Sequence, residues 1–234
     1  MNWKINKNFR KLIKLPLPYF EISDQNPNFP PAYFADSDGL VAVGGDLTAE
    51  KLLEAYTCGI YFWHHPMKRI QWWSPDPRLV IRLKDFEPSE DFCELQKAYS
   101  FYWDTKLQTV LDFCKQTHNQ DGRWTHASVT GRMARSFEAL HQRGVLKTAA
   151  VYLEDCLVAG IIGVALGRMF FGEYLVSSDS EANRFCMQSV LQTLKREKFE
   201  IIDLQKETMA MESMIPDEMS RLEFVNLCKE KTKN

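Results

Sequence analysis

The sequence predicts an α+β fold, and two observations support that prediction. Apolar residues recur at helical spacing in several stretches of the first half, as in the stripe formed by Leu107, Val110, Leu111 and Cys114. Between residues 148 and 176 the pattern changes to apolar, β-rich runs separated by short polar turns. Helices followed by hairpin strands, a further helix and a further strand are typical of an α+β sheet sandwich.

The N-terminal part is expected to be a small unit. Residues 1–28 are rich in Asn, Lys and Pro and are interpreted as an N-terminal arm, whereas residues 29–78 are expected to form a small α/β domain. In that domain a Gly-Gly pair marks a turn, and Thr48 offers the N-cap of a helix that Gly59 ends. Taken alone, the aromatic residues that follow indicate a small core: Tyr61, Phe62, Trp63, Trp72 and Trp73.

Residues 79–234 are expected to form a larger domain with a mostly antiparallel sheet. Ser89 is predicted to cap a helix whose apolar face includes Tyr99. Short polar pairs at 154–155 and 167–168 suit hairpin turns, so the runs around them predict an antiparallel meander. The other predicted elements are strands at 78–83, 101–103 and 201–205, helices over 107–114, 129–140 and 181–197, and a final helix that Ser220 and Glu223 open with a capping box.

Composition argues against several classes of protein. The formal net charge of −2 over 234 residues argues against coating nucleic acid by bulk electrostatics, but not against gripping one RNA end. Six scattered cysteines without a C-x-x-C pair indicate reduced thiols in a cytosol. No apolar run suits a signal peptide or a transmembrane helix, and the five histidines lack metal-ligand spacing. We therefore expect a cytoplasmic monomer without membrane or metal partners.

Three polar residues in apolar strands are the candidates for chemistry. Asp203 and Gln205 stand two apart on a predicted strand, so we expect their side chains to share one face. Glu173 follows Gly172 in an apolar strand, where a carboxylate is costly unless it is paired. From these residues alone, Asp203 is better explained as a turn former or as the cap of the next element, whereas Glu173 is equally well explained as a strand-edge carboxylate that faces water.

The order of the N-terminal motifs favours a functional interpretation. The chain contains Phe29-Pro30, then Asp38-Gly39-Leu40 leading to Gly44-Gly45-Asp46-Leu47, then Ala55-Tyr56, Gly59-Ile60-Tyr61-Phe62-Trp63 and Trp72-Trp73-Ser74-Pro75-Asp76-Pro77-Arg78. This order closely resembles the N-terminal signature of the leucyl/phenylalanyl-tRNA–protein transferases, which reads F-P, D-G-L-x-A-x-G-G-D-L, A-Y, G-I-F-P-W and W-W-S-P-D-P-R. One motif departs, since G-I-F-P-W reads G-I-Y-F-W here.

The resemblance implies a GNAT-like acyltransferase fold for the larger domain and two partners, an aminoacyl-tRNA 3′ end and an acceptor protein N-terminus. The family's G-E and D-x-Q patterns are present, which makes Glu173, Asp203 and Gln205 the catalytic candidates. Asp203 would orient Gln205, Gln205 would hold the reacting amine and ester, and Glu173 would serve the acceptor. The aminoacyl ester is already activated, so no cofactor is expected. The product would carry a new N-terminal residue and become an N-degron.

The same resemblance implies an apolar pocket for the transferred side chain and aromatic contacts to the terminal adenosine and substrate. The pocket residues are Ile161, Phe170, Leu175, Met187, Val190 and Ile202, and the aromatic residues are Trp63, Trp73, Trp124 and Phe137. This pocket favours a Leu, Met or Phe side chain, because an isolated charge would be costly there. Modest phosphate contact is expected from basic clusters, namely Arg78 with Arg82 and Lys84, and Arg132 with Arg135.

Departures from the family pattern leave the specificity open. Asp179 and Glu181 enter the loop beside Ser177 and Ser178, where the family has neutral or basic residues. In one account, these acids meet a basic N-terminal residue of the acceptor protein. In the other, one of them pairs with a transferred arginine at the pocket mouth, which would mean arginyl transfer onto acidic N-termini.

Two other classes of protein are alternatives to an aminoacyltransferase. An acetyl-CoA-dependent acyltransferase of the same fold would need a [QR]-x-x-G-x-[GA] loop, and the chain contains none. A non-catalytic RNA-end binder would have no need of Glu173, Asp203 or Gln205, and all three are present.

Overall fold

Two β-sheets and six helices organise the part of the chain that the computed structural model describes, which is residues 20–63, 69–120, 131–205 and 216–233. The strands are β1 (Phe20–Ile22), β2 (Leu40–Gly44), β3 (Tyr61–Trp63), β4 (Gln71–Trp73), β5 (Arg78–Arg82), β6 (Tyr99–Trp103), β7 (Leu146–Leu153), β8 (Cys156–Leu166), β9 (Met169–Ser177), β10 (Ile201–Gln205) and β11 (Asp217–Met219). The helices are α1 (Ala49–Thr57), α2 (Phe92–Ala98), α3 (Leu107–Gln120), α4 (Gly131–Gln142), α5 (Ser180–Arg196) and α6 (Arg221–Lys231). The predicted α+β class is confirmed.

The smaller sheet has the strand order β1-β2-β4-β3, in which only the β1–β2 pair is parallel. The aromatic residues of the predicted small core lie on its β3–β4 pair, where Tyr61 is opposite Trp73 and Phe62 is opposite Trp72. Trp72 is fully buried, and its indole N–H donates to the Gly44 carbonyl at 2.9 Å. Aromatic pairs across two strands stabilise a sheet this short because each ring covers its neighbour.

The larger sheet has the order β11-β5-β10-β9-β8-β7-β6. Strands β7, β8 and β9 form the predicted antiparallel meander, and β10 lies parallel to β9. A parallel neighbour requires a crossover connection, which helix α5 supplies between β9 and β10. The sheet is therefore mixed but mostly antiparallel, as predicted.

One apolar cluster joins the two sheets. It includes Trp72 and Phe62 of the smaller sheet together with Phe171 of β9 and Phe137 of α4. A second cluster fills the space between the larger sheet and α5. The predicted division at residues 78 and 79 stays a prediction, and the structure places Arg78 at the start of β5 in the larger sheet.

Local capping explains where individual helices begin. The predicted caps at Thr48 and Ser220 are confirmed, since their hydroxyls accept the backbone N–H groups of Lys51 and Glu223. The predicted cap at Ser89 is wrong: helix α2 begins after Asp91, and the Ser89 hydroxyl bonds the Asp91 carboxylate and Gln188 instead. Tyr99 is likewise not part of the helix.

Tyr99 opens strand β6, and its ring stacks on Phe185 of α5 with centroids 5.3 Å apart. The chain thus passes directly from α2 into β6 without a loop. In the described residues, no helix combines the length and the apolar character needed to cross a membrane.

The β8–β9 hairpin should be sensitive to the size of residue 167. Gly167 has φ +54°, and a Cβ there would overlap the Lys231 carbonyl at the end of α6. Gly167→Ala should therefore lower the free energy of unfolding by about 3 kcal/mol or more in urea denaturation.

The matched control for this prediction is Gly144→Ala. Gly144 has φ +73°, but a Cβ there would meet no atom within 4 Å. This variant should lose only the left-handed backbone cost, about 1–2 kcal/mol. Equal losses in the two variants would show that contact with α6 does not constrain the hairpin.

Candidate active site

The candidate site lies where the parallel strands β9 and β10 part. Their pairing runs from Met169 opposite Ile201 to Phe171 opposite Asp203 and then stops. Beyond that point, the side-chain amide of Gln205 donates to the Gly172 carbonyl at 2.9 Å and bridges the two strands. The carboxyl ends of neighbouring parallel strands commonly leave a crevice for a ligand.

Asp203 lies at the base of this opening and is paired with Arg78 from β5. The Arg78 Nε and Nη2 atoms donate to the two Asp203 carboxylate oxygens at 2.7 and 2.6 Å. The side chains are 1% and 0% exposed. The guanidinium also lies over the rings of Tyr61 and Phe224, 4.7 and 4.5 Å from their centroids. Burial opposes its charge, but the Asp203 carboxylate outweighs burial and holds the pKa of Arg78 above its usual value.

Glu173 faces the same opening and is held by two donors. Its Oε1 atom accepts the Tyr56 hydroxyl at 2.8 Å and the Gln205 side-chain amide at 2.9 Å. Burial is the main cause that raises the pKa of Glu173 to about 8, helped by the nearby Asp203 charge and opposed by the Tyr56 hydrogen bond. A carboxyl group with this pKa can exchange a proton near neutral pH.

Gln205 connects these two carboxylates. Its backbone N–H donates to Asp203 Oδ1 at 2.9 Å, while its side chain reaches Glu173. The backbone is irregular here, with φ +63° at Gln205 and a register shift against β5 after Asp203. Simple strand alternation predicted that the side chains of Asp203 and Gln205 share one face. In the structure, a distorted strand end brings these two residues together with Glu173. Such backbone irregularity is common at functional sites.

Two residues of this network were not among the predicted site residues. Arg78 was expected to contact phosphate together with Arg82 and Lys84, and this expectation is wrong because Arg78 is fully buried against Asp203. Tyr56, at the end of α1, is also fully buried, and the sequence marks it only as part of the A-Y motif. Each residue is the last one of a signature motif. That place in a motif is the only sequence signal that could have marked them as site residues. Among the described residues, no group of three or more His, Cys, Asp or Glu side chains is placed to hold a metal ion.

The predicted pocket residues all lie in the apolar cluster between the larger sheet and α5. Ile161, Phe170, Met187, Val190 and Ile202 belong to its buried core, and Leu175 is partly buried against them. These side chains therefore serve the packing of the domain. Their contact with a transferred amino acid stays a prediction.

The predicted aromatic residues occupy different environments. Trp63 and Trp73 are partly buried on β3 and β4, and the buried Trp73 indole N–H has no hydrogen-bond partner among the described residues. Phe137 is fully buried and packs edge-on against Tyr174, the neighbour of Glu173, with centroids 6.0 Å apart. Trp124 lies outside the described residues.

The two acids beside Ser177 have structural partners. Asp179 is the N-cap of α5, where it accepts the Ala182 backbone N–H at 2.8 Å, and that hydrogen bond is the main cause that lowers the pKa of Asp179. Glu181 accepts the Tyr99 hydroxyl at 3.0 Å. Ser177 accepts the side-chain amide of Asn183 at 3.2 Å.

Comparison with known proteins decides the family. Residues 80–229 match the family model described as leucyl/phenylalanyl-tRNA protein transferase, and residues 45–76 match the model of its N-terminal domain. This chain belongs to the leucyl/phenylalanyl-tRNA–protein transferase family. It is accordingly an aminoacyltransferase of the class that forms peptide bonds.

Curated members of this transferase family resemble the chain over most of its length. The leucyl/phenylalanyl-tRNA–protein transferase of Syntrophobacter fumaroxidans is 34% identical over 92% of this chain and 91% of its own. The Xanthomonas oryzae pv. oryzae protein of that name is 38% identical over 85% of this chain and 80% of its own. The Flavobacterium johnsoniae protein of that name is 31% identical over 87% of this chain and 96% of its own.

Similar solved structures include the L-PGS of Bacillus licheniformis, with 9% identity and a TM-score of 0.45. FemX is another, with 10% identity and a TM-score of 0.43. The similarity covers 74% and 67% of this transferase, and the chain spans 57% and 59% of the length of those two structures. The GNAT-like assignment of the larger domain stays a prediction.

The raised pKa of Glu173 should make the stability of this transferase depend on pH. The carboxyl pKa is about 4.3 in an unfolded chain and about 8 in the folded protein, so the folded state holds the extra proton between these values. The free energy of unfolding should therefore fall as pH rises from about 5 to 8. Glu173→Gln removes this titration. Between pH 5 and 8, its free energy of unfolding in urea denaturation should therefore rise relative to that of the wild type by at least about 1 kcal/mol.

The exposed Glu138→Gln variant is the control for this measurement, because its solvent-facing side chain should leave the wild-type pH curve unchanged. A Glu173→Gln variant that also follows the wild-type curve would contradict the raised pKa of Glu173.

The buried ion pair should show strong coupling between its two members. Arg78→Met leaves the Asp203 carboxylate buried without its partner and should cost about 3–5 kcal/mol of unfolding free energy. The double variant Arg78→Met/Asp203→Leu should lose clearly less than the sum of the single variants. Arg82→Met is the control on the same strand; its ion pairs are partly exposed, so about 0–1 kcal/mol is expected. Additive losses at Arg78 and Asp203 would contradict the coupling.

Proposed function

We propose that this protein transfers an amino acid of the Leu, Phe or Met class from charged tRNA to the α-amine of acceptor proteins with basic N-termini, creating an N-degron. Family membership supports a tRNA-dependent aminoacyl transfer. The observation that carries the proposal is the network in which Gln205 bridges Glu173 and the Arg78–Asp203 pair at the parting of β9 and β10.

In this proposal, Glu173 is the proton acceptor. A protein α-amine has a pKa of about 7.7–8.0, and the Glu173 pKa of about 8 matches it, so a proton passes between them without a large energy difference. Glu173 is only half-buried, so the opening leaves it accessible to a substrate. Asp203 is a positioning residue, because both of its oxygens are engaged by Arg78 and its side chain is 0% exposed.

The reaction then needs no further reagent. The reacting pair is the neutral α-amine and the ionised carboxylate of Glu173, which is the minor form of that group below its pKa of about 8. The amine nitrogen attacks the ester carbonyl carbon, and the amine proton passes to this carboxylate. The bond between the carbonyl carbon and the ribose oxygen breaks, and the proton returns from Glu173 to that oxygen as the ribose hydroxyl leaves. One amide bond and one hydroxyl group are formed from one amine and one ester, so atoms and charges balance.

Gln205 is proposed to orient the attacking amine. Its side-chain nitrogen is already committed to Gly172 and Glu173. Its side-chain oxygen accepts no hydrogen bond from the described residues, which leaves an acceptor for an N–H of the incoming amine. Holding the amine beside both Glu173 and the ester raises the reaction rate, because the reacting groups are already oriented when they are bound.

The lining of the proposed pocket supports the apolar choice of transferred residue over the arginyl alternative. Asp179 and Glu181 are exposed and accept hydrogen bonds only from neutral donors among the described residues, so their charges are free to attract the basic N-terminal residue of an acceptor. The six proposed pocket residues are apolar, which suits a Leu, Phe or Met side chain.

A transfer assay tests this function. The protein is incubated separately with tRNA carrying labelled Leu, Phe, Met or Arg, and with peptides that begin with Arg, Lys, Asp or Glu. We expect transfer of the apolar residues onto Arg and Lys peptides, because the pocket contains no charge to pair with arginine. Gln205→Ala should lower the rate by about 10²–10⁴, the scale of a positioned proton-transfer site, whereas the exposed Gln108→Ala should not.

Two outcomes would overturn the proposal. Transfer of Arg alone onto acidic N-termini would establish the arginyl alternative. A Gln205→Ala variant that turns over at the wild-type rate would remove this network from the chemistry.

A further inference from the structure

An open groove of about 640 Å³ lies between the amino end of α1 and the outer face of α4. One wall is formed by the loop and first turn at residues 45–50, and the other by α4 and the residue that follows its end. Three arginines line the groove: Arg132, Arg135 and Arg143. None of them belongs to the candidate active site.

Two of these guanidinium groups have no ion-pair partner among the described residues. Arg143 pairs with Glu50, but Arg132 and Arg135 are exposed, and their guanidinium groups form no ion pair or hydrogen bond with the described residues. The other acid of the groove is Asp46, whose Oδ1 atom accepts the Thr48 backbone N–H at 3.2 Å. With Glu50 balanced by Arg143, two positive charges face one carboxylate, and the groove has an excess of positive charge.

The chemistry of this groove fits a phosphodiester. A guanidinium is planar, stays charged and presents N–H groups in a fork that matches two phosphate oxygens. The amino end of α1 adds the positive end of a helix dipole to the same groove. A soluble acidic peptide would also be attracted, but the position of the groove favours RNA.

The length of α1 sets the distance between the groove and the candidate active site. The groove contacts its first residue, Ala49, and the hydroxyl of Tyr56 in its last turn bonds Glu173. Seven residues of α-helix rise about 10 Å, which equals about three stacked nucleotides of one strand. The hydroxyl of Ser136 on α4 bonds the Leu47 carbonyl, so the two walls are held together.

We propose that this groove binds phosphodiester groups of the donor tRNA close to its 3′ end, and so aligns the aminoacyl ester with Glu173 and Gln205. This inference rests on the proposed function for the identity of the RNA. The unpaired arginines themselves favour an anionic ligand, and the position of the groove favours a nucleic-acid phosphate.

Binding and transfer by an Arg132→Ala/Arg135→Ala variant test the inference. Unacylated tRNA should bind about 10-fold more weakly by fluorescence anisotropy, and the slope of log K against log salt should fall by about two, roughly one for each lost phosphate contact. In transfer assays, the KM for charged tRNA should rise while kcat is kept. The deficit should disappear with aminoacyl-adenosine as donor, since that donor lacks phosphate.

Two further variants separate phosphate binding from other effects. Arg196→Ala/Lys229→Ala removes the same charge from exposed positions outside the groove and should bind tRNA like the wild type. Arg132→Lys/Arg135→Lys keeps the charge without the fork and should recover most of the salt slope.

Several outcomes would overturn the inference. They are an unchanged affinity and slope in the Ala/Ala variant, an equal loss in the Arg196/Lys229 control, or a rise in KM for the acceptor peptide instead of tRNA, which would assign the groove to the acceptor. The binding measurement does not depend on the transfer reaction. A wild-type protein that binds tRNA through the groove but transfers nothing would overturn the proposed function alone.

Discussion

Arg78 and Asp203 form a fully buried ion pair that joins the first strand of the larger sheet to the strand that carries the site. Taking two charges out of water costs several kcal/mol for each ion, and only good geometry offsets that cost. Here that geometry consists of two short hydrogen bonds between the charged groups and two aromatic rings that cover the guanidinium. One ring is that of Tyr61 in the smaller sheet, and the other is that of Phe224 in α6. A slip of β5 against β10 would leave both charges unpaired among apolar residues. We infer that the ion pair selects the register of these strands.

The same ion pair shapes the chemistry next to it. Because Asp203 is occupied by Arg78, its remaining interaction is with the Gln205 backbone, and this helps to place the Gln205 side chain against Glu173. Among the described residues, Glu173 has no cationic partner within hydrogen-bonding distance; its donors are the neutral Tyr56 hydroxyl and the Gln205 amide. Two carboxylates in one network thus hold opposite roles, since one is paired with a cation and the other keeps a proton near neutral pH.

Helix α1 connects this network to the rest of the molecule. Tyr56 in its last turn bonds Glu173 and packs on Phe171 of β9, with ring centroids 4.9 Å apart, and its first turn lines the arginine groove. The helix belongs to the N-terminal signature, whereas Glu173 belongs to the larger sheet. Neither part of the chain holds a complete site, and the apolar cluster shared by both sheets keeps them in place. This explains why the motifs that identify the family are spread from Phe29 to Gln205.

By itself, the sequence determined the elements whose signals are local. Helix stripes, the caps at Thr48 and Ser220, the meander of β7 to β9, and the candidates Glu173, Asp203 and Gln205 could all be predicted from spacing, turn chemistry or motif. Strands β1, β3, β4 and β11 have only three residues each, too few for a period to show. Only the tertiary structure decided that Arg78 is buried against a carboxylate 125 residues away, and that Tyr56 reaches Glu173 across 117 residues. Burial and long-range pairing depend on how the sheets pack. The sequence around a single arginine or tyrosine does not show whether its side chain faces water or a charged group.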